Sequence, residues 1–209
     1  MRQQDYLIEQ AQLMDVSLSP AQADCLLSYL ALIAKWNRVH NLTALRDPDK
    51  MLSHHILDSL SVLPYISAQN LLDVGSGAGL PGIPLAIAEP DRRIAVMDSN
   101  TKKTSFLRQA VMELSLKNVD VIEGRIESLA ATFRFDGIVS RAFSDINQFV
   151  EMSRHVLAKD GRWYSMKGLV PEKELQQLPV GIEVLSIQSL TIPLLAAQRH
   201  LVIMKEADG

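Results

Sequence analysis

The spacing of apolar and polar positions differs between the two ends of the chain. In the first third, apolar side chains recur at the three- and four-residue spacing of helices that bury one face. Helices are predicted over residues 4–16 and 20–39, and a third is predicted to begin at Asp47-Pro48. Residues 1–68 are therefore expected to form an N-terminal helical cap.

Between residues 69 and 209, short apolar runs alternate with helical patterns, which predicts an α/β domain with a mostly parallel sheet covered on both faces. One helix is expected to extend to Leu157, and Asp160-Gly161 is expected to be a turn before the fifth strand. The last two strands are joined too closely for a helical crossover, so they should pair antiparallel. The predicted strands are residues 70–74, 94–98, 119–122, 137–140, 162–166, 182–190 and 200–204.

The first of these strands runs into a glycine-rich loop. Gly75, Gly77, Gly79 and Gly82 lie between it and an apolar helical segment. Because glycine has no Cβ, such a loop lets a ligand approach the backbone closely, and the first N–H groups of the next helix face the same space. The last three glycines match the G-x-G-x-x-G pattern, which is weak evidence alone. The loop predicts a nucleotide-binding turn.

Two carboxylates indicate which nucleotide binds. Asp73 lies two residues before Gly75, at a strand end where it would repel a phosphate and attract a cation. S-adenosylmethionine carries an ammonium and a sulfonium but no phosphate, so Asp73-x-Gly75-x-Gly77 favours it over NAD. Asp98 ends the next strand, where an acid binds the ribose that both cofactors share. With five alternating strands and an antiparallel last pair, this favours the seven-stranded, Rossmann-like fold of class I S-adenosylmethionine-dependent methyltransferases.

The composition limits the class of protein. At 209 residues, 47% hydrophobic and 22% charged, the chain can bury a core. No apolar run reaches the roughly 18 residues of a membrane span and Met1-Arg2-Gln3 does not begin a signal peptide, so we expect a cytoplasmic protein without a membrane partner. The single Cys25 excludes internal disulfides. A net charge of −3 excludes a strongly basic coat but leaves room for a local basic face.

His54 and Asp58 stand four residues apart and share a helix face, which brings a metal ion into consideration. Two ligands do not make a site, and no third lies nearby in the sequence. A polar pair on the helix surface or a patch that faces a ligand is favoured. No metal is expected.

Several motifs, in the same order along the chain, resemble one known family. They are Lys35-Trp36-Asn37 with Asn41-Leu42-Thr43, His55-Ile56-Leu57-Asp58-Ser59, Asp73-Val74-Gly75, Gly79-Leu80-Pro81-Gly82-Ile83-Pro84 and Ser140-Arg141-Ala142-Phe143. Over nearly its whole length the chain resembles the ribosomal RNA small-subunit methyltransferase G family, also called glucose-inhibited division protein B.

The resemblance implies a class I fold and methyl transfer from S-adenosylmethionine to N7 of one guanine in 16S ribosomal RNA of the small subunit. It places cofactor contacts on Gly75, Leu80, Ile126, Glu127 and Arg141. Together with the acids and glycines above, the predicted cofactor-binding residues are Asp73, Gly75, Gly77, Leu80, Asp98, Ile126, Glu127 and Arg141. A monomer is expected.

The chemistry of the acceptor agrees with this. Methylation of a pyrimidine carbon needs a cysteine near the cofactor, and Cys25 lies on a cap helix. Methylation of an exocyclic amine usually uses an Asn/Asp-Pro-Pro-aromatic turn, which is replaced here by the motif at residues 140–143. Guanine N7 has an in-plane lone pair and no proton, so no catalytic base is expected and Arg141 and Phe143 would position the substrate. Phe143 is placed to stack on a base or on adenine.

Basic residues at the strand ends predict an RNA-binding rim. Arg125, Arg141 and Lys167 lie at or just beyond strands, although each alone resembles an ordinary solvated charge. Two other functions stay open at this point. One is an NAD-dependent oxidoreductase, and the other is a non-catalytic RNA-binding protein that senses the cofactor.

Overall fold

The computed structural model describes residues 2–45, 47–141, 143 and 145–207. Met1 and Ala142, which belong to sequence motifs considered above, lie outside the described residues. No helix in the described part of the chain is long and apolar enough to cross a membrane.

The cap consists of two long helices and a third segment of mixed geometry. Ser19 and Gln22 cap the second helix, α2 (Pro20–His40), reciprocally, and Asn41 ends it in the left-handed conformation with φ 49°. The third segment is not one regular α-helix, because its middle widens into a π-helix, a geometry that is frequent at functional sites. The elements are α1 (Gln3–Gln12), α2 (Pro20–His40), α3 (Pro48–Met51), a π-helix (Leu52–Leu57), α4 (Asp58–Leu60) and a 3-10 turn (Leu63–Tyr65).

The sheet has seven strands among the described residues, which are β1 (Asn70–Val74), β2 (Arg93–Asp98), β3 (Val119–Glu123), β4 (Phe135–Ser140), β5 (Leu157–Lys167), β6 (Ile182–Ser189) and β7 (His200–Glu206). Their order in the sheet is β3-β2-β1-β4-β5-β7-β6. The pairs β1–β2, β2–β3, β1–β4 and β4–β5 are parallel, whereas β7 is antiparallel to both β5 and β6. This confirms the predicted class of fold.

Two local expectations near β5 were wrong. The helix expected to reach Leu157 ends at Ser153, because Leu157 pairs with Phe135 of β4 and opens the strand. Asp160-Gly161 is not a turn before β5 but lies inside it, where Asp160 has φ 64° and the register with β4 shifts. The Asp160-Gly161 pair, which looks like a turn in the sequence, therefore forms an irregularity within a long strand. The remaining helices are α5 (Gly82–Ala88), α6 (Thr101–Glu113), α7 (Ile146–Ser153) and α8 (Glu172–Leu175), with 3-10 turns at Ile126–Ser128 and Arg154–Val156.

The two faces of the sheet contribute to two apolar clusters. Alternate residues of β1 show the division, since Leu71 belongs to one cluster and Leu72 to the other. The first cluster also contains Leu7 and Tyr29 of the cap, so the cap shares a core with the sheet. The second is covered by α7, where Phe149 is fully buried. A division into separate domains at residues 68 and 69 stays a prediction.

Candidate active site

The glycine loop between β1 and α5 has positive φ angles, which residues other than glycine rarely adopt. Gly75, Gly77 and Gly79 have φ of 69°, 62° and 84°. A Cβ at Gly79 would lie 2.6 Å from Cγ1 of Ile83 and 2.7 Å from Oη of Tyr29. Tyr29 itself donates a hydrogen bond to the carbonyl of Ala78, which fixes cap helix α2 to the loop. The loop therefore depends both on its glycines and on the cap.

Asp73 supports this loop from beneath. Its buried Oδ2 accepts hydrogen bonds from the Gly82 N–H and the Ser76 hydroxyl, both at 2.8 Å. Burial raises the pKa of Asp73 to about 6, although these two hydrogen bonds favour the charged form. Its Oδ1 is buried without a partner among the described residues. The carboxylate thus organises the loop, and its direct contact with a cofactor stays a prediction.

Asp98 lies on the other side of the loop, in a cavity of about 360 Å³ that we call the strand-end cavity. Asp98 Oδ2 accepts from the Gly77 N–H at 2.9 Å and lies 3.4 Å from Nζ of Lys103. Its Oδ1 accepts from the Asn100 N–H at 2.9 Å. Predicted residues that line this cavity are Gly75, Asp98, Arg125, Ile126, Glu127 and Phe143.

A second space, of about 240 Å³, adjoins the glycines and is called the loop cavity. Its walls include Gly77 and Leu80, and it shares Gly75 and Lys103 with the strand-end cavity. Arg141, just after β4, closes its far side. The two cavities are therefore adjacent, with Gly75 and Lys103 lining both, and we refer to them together as the cleft.

A third space, the cap cavity, has about 480 Å³ and lies between the cap and the ends of β4, β5 and β7. It shares Arg141 with the loop cavity. Asp58, whose side chain is only 2% exposed, accepts from Nη1 of Arg141 through Oδ2 and from Nε of Arg199 through Oδ1, both at 2.9 Å. Arg141 Nη1 also donates to the carbonyl of His54 at 3.0 Å.

Motif residues of the cap build the wall opposite these arginines. Asn37 accepts from the Thr43 N–H at 3.0 Å and donates to the Leu45 carbonyl at 3.2 Å, which shapes the segment after α2. Thr43 Oγ1 lies 3.2 Å from Nε2 of His55. Burial lowers the pKa of His55 to about 4, so its imidazole is neutral at neutral pH. The cap cavity is therefore walled by a neutral histidine and by arginines.

The structure brings together most of the predicted residues, with three differences. Asp73 lies under the loop and lines none of the three cavities. Arg125 lines the strand-end cavity and not the cap cavity, so it does not share one cavity with Arg141 and Lys167. Lys167 is largely buried, with Nζ 3.0 Å from Glu174 and 3.3 Å from the Phe143 carbonyl, and is not a freely solvated rim charge.

His54 and Asp58, the pair considered for metal binding, do not have the surroundings that a metal ion would need. Asp58 is engaged by two arginines, and no group of three or more His, Cys, Asp or Glu residues that could hold a metal occurs in the described ranges. Sequence inspection missed Lys103, Thr43, His55 and Arg199 as cavity residues. For Thr43 and His55, their place in the family motifs was the available signal.

The strand order, the glycine loop after β1 and the acid that ends β2 define a class I methyltransferase fold. Solved structures agree at the level of fold. A glycopeptide N-methyltransferase, MtfA, solved with S-adenosylmethionine, aligns with a TM-score of 0.63 at 11% identity over 74% of this chain and 88% of that chain. TrmN from Thermus thermophilus aligns with a TM-score of 0.57 at 15% identity over 74% and 53%.

The sequence defines the family more closely. The family model for rRNA small subunit methyltransferase G matches residues 22–202, and the chain belongs to this family. The Ribosomal RNA small subunit methyltransferase G of Methylobacillus flagellatus is 54% identical over 86% of both chains, and that of Chromobacterium violaceum is 49% identical over 90% of this chain and 91% of that protein. This membership favours a methyltransferase over the oxidoreductase and the non-catalytic binding protein.

Proposed function

We propose that this chain transfers a methyl group from S-adenosylmethionine to N7 of one guanine in 16S ribosomal RNA of the small subunit. The observation that carries the proposal is the family match over residues 22–202, on a chain whose glycine loop opens on the cleft described above. When bound, S-adenosylmethionine supplies an electrophilic methyl group on a sulfonium. The protein's own residues hold it, admit the base and orient the two.

The cleft fits this cofactor in its chemistry. Asp98 and Glu127 put carboxylate groups in the strand-end cavity, where ribose hydroxyls can donate to them. Met97, Ile126 and Phe143 offer apolar and aromatic surface to an adenine ring in the same cavity. The buried Oδ1 of Asp73, which has no partner in the described part of the chain, adds negative potential near the loop, which suits a cationic ligand better than a pyrophosphate.

The acceptor base would enter from the cap cavity, because this cavity meets the loop cavity at Arg141. Guanine N7 has no proton to remove, so the protein needs no general base there. The lowered pKa of His55 makes it a weak base and Asp58 is bound by two arginines, which agrees with a site that positions rather than deprotonates. Arg141 supplies positive charge near the RNA and Arg125 supplies it at the cofactor side, whereas Lys167 lies in the cap cavity as an ion pair with Glu174.

We further infer that the protein acts as a monomer in the cytoplasm, on small subunits rather than on free RNA. Ribosomal particles are its substrate under this proposal, so the protein has to be in the cytoplasm with them. The net charge of −3 supports a folded particle as substrate, because unspecific attraction to a free transcript needs many cations.

The test is methyl transfer from tritiated S-adenosylmethionine to small subunits purified from a strain that lacks this activity. We expect about one methyl group per subunit, with none on large subunits treated in parallel. Tight binding of S-adenosylhomocysteine with no label on any RNA would favour the non-catalytic binding protein. Oxidation of NADH with no methyl transfer would return the function to the oxidoreductases.

A further inference from the structure

The acid that joins the cap to the sheet lies between two arginines, and its geometry has a functional consequence. Asp58 is the first residue of α4, whereas Arg141 follows β4 and Arg199 precedes β7. The ends of these strands meet at one edge of the sheet, since Ser140 pairs with Ser165 and Lys167 pairs with His200. One carboxylate of the cap therefore fixes side chains from two separate strand ends.

The hydrogen bonds leave the arginines partly available. To described residues, Arg141 donates through Nη1, and Arg199 donates through Nε to Asp58 and through Nη1 to the carbonyl of Gln198. Their side chains are 28% and 26% exposed, in contrast to the buried Asp58. A guanidinium has five N–H groups in a planar fork, so each arginine keeps donors for a ligand in the cap cavity.

The charges in this cluster favour an anion. Asp58 carries one negative charge against the two positive charges of the arginines, so the cluster keeps a net charge of +1. Lys167, in the same cavity, is paired with Glu174 and adds little. Two guanidinium groups bound to one carboxylate are held close together and can donate to one phosphate, whereas two unrestrained side chains would lose conformational freedom on binding it.

We propose that Asp58 is a positioning residue that holds Arg141 and Arg199 as one fork for a backbone phosphate of the RNA substrate. The inference rests on the proposed function, because it takes the RNA as the ligand of the cap cavity. Arg141 lines the loop cavity as well. The fork therefore links the place of the phosphate to the place of the cofactor, and its loss affects both.

A positioning role for Asp58 and the net charge of the cluster predict opposite effects of Asp58→Asn on RNA binding. Asp58→Asn keeps the shape of the side chain and raises the charge of the cluster from +1 to +2, which by charge alone strengthens RNA binding. If orientation matters, the same change raises KM for small subunits about tenfold. It also weakens S-adenosylhomocysteine about threefold through Arg141.

Glu206→Gln is the matched control. It is also an acid-to-amide change in an arginine pair, with Arg154 at 2.6 Å, but it lies at the opposite end of β7 from Arg199. We expect KM for small subunits and affinity for S-adenosylhomocysteine to stay within twofold of the parent in this variant.

A double-mutant cycle separates positioning from a general structural role. In a protein that carries Arg141→Ala and Arg199→Ala, adding Asp58→Asn should change KM by less than twofold, because the groups it positions are gone. An unchanged tenfold effect in that background overturns the proposal, as does a parent-like or lower KM for Asp58→Asn alone.

Two further measurements keep the proposal open to refutation. If Asp58→Asn does not fold, Arg199→Lys keeps the charge but not the fork, and a parent-like KM for it overturns the proposal. If the parent does not methylate small subunits, the proposed function fails by itself. The fork is then judged by calorimetric titration with S-adenosylhomocysteine, where parent-like affinity of folded Asp58→Asn contradicts it.

Discussion

Asp73 shows how one buried side chain can support the cofactor loop without lining the cleft. Its Oδ2 bonds the Gly82 N–H at the start of α5 and the hydroxyl of Ser76. Burial raises its pKa to about 6, so the native protein binds a proton more tightly than the unfolded chain. This carboxylate therefore lowers the free energy of unfolding as the pH rises through about 6.

The first prediction concerns this pH dependence. Asp73→Asn keeps an oxygen acceptor and removes the titration, so relative to the parent the variant should gain about 1 kcal/mol in the free energy of unfolding between pH 5 and pH 8. Urea unfolding at both pH values measures the difference. Parallel changes in variant and parent would mean that Asp73 titrates at an ordinary pH in the native state.

The second prediction concerns Asp98, whose oxygens face the strand-end cavity. Asp98→Ala should weaken S-adenosylmethionine by about 1–3 kcal/mol, because buried ribose hydroxyls lose an acceptor. Calorimetric titration measures the loss. Asp120→Ala, at an exposed position of the neighbouring strand β3, is the control and should bind as the parent does. Unchanged affinity in folded Asp98→Ala would remove this residue from the cofactor site.

At the scale of elements, the glycine loop and cap helix α2 act together. Tyr29 contacts the loop at Ala78, and its Oη would lie 2.7 Å from a Cβ at Gly79. The loop thus packs against the side chain of Tyr29 from the cap and leads directly into α5. A change in the loop should therefore affect both stability and binding of the cofactor.

The third prediction tests this packing. Gly79→Ala places a Cβ into Ile83 and Tyr29 at a φ of 84°, so it should lower the free energy of unfolding by about 1–3 kcal/mol or more. It should also weaken S-adenosylhomocysteine at least tenfold. Gly168→Ala, where a Cβ meets nothing within 4 Å, is the control and should change neither. A Gly79→Ala protein with parent stability and affinity would contradict the loop geometry.

Much of the element order could be predicted from the sequence, because local periodicity determines it. The apolar run that forms β1 and the alternation of strands and helices were visible without a structure. The π-helix at Leu52–Leu57 and the early start of β5 at Leu157 were not, since both depend on what the segments contact. Strand pairing with Phe135 overrode the helical pattern that had included Leu157.

The residues of the candidate site also divide into those that the sequence indicated and those that only the folded structure brings together. Gly75, Gly77 and Asp98 lie at positions that a strand-loop-helix pattern specifies, so the sequence alone indicated them. Asp58 and Arg199 are 141 positions apart, and only the folded chain brings them to 2.9 Å. In the sequence, Asp58 stood four residues from His54 and within the family motif at residues 55–59, and neither observation indicated its arginine partners.

For the whole molecule, we propose that net charge and the shape of the substrate determine which form of the RNA is methylated. A chain at −3 cannot hold RNA by phosphate neutralisation alone, so recognition has to come from the form of the substrate. We expect isolated small subunits to be methylated at least tenfold faster than protein-free 16S RNA at physiological salt. Comparable initial rates on both would mean that local sequence is read by contacts outside the cap cavity.

The central claim is methyl transfer to a guanine N7 in the small subunit, and mapping the product tests it most directly. After reaction with small subunits from a strain that lacks the activity, borohydride reduction and aniline cleavage mark each N7-methylguanosine as a strand break. The account predicts one new break in 16S RNA that depends on S-adenosylmethionine and that accumulates more slowly with Arg141→Ala. Methyl label on a pyrimidine, on an exocyclic amine or at many scattered guanines would contradict it.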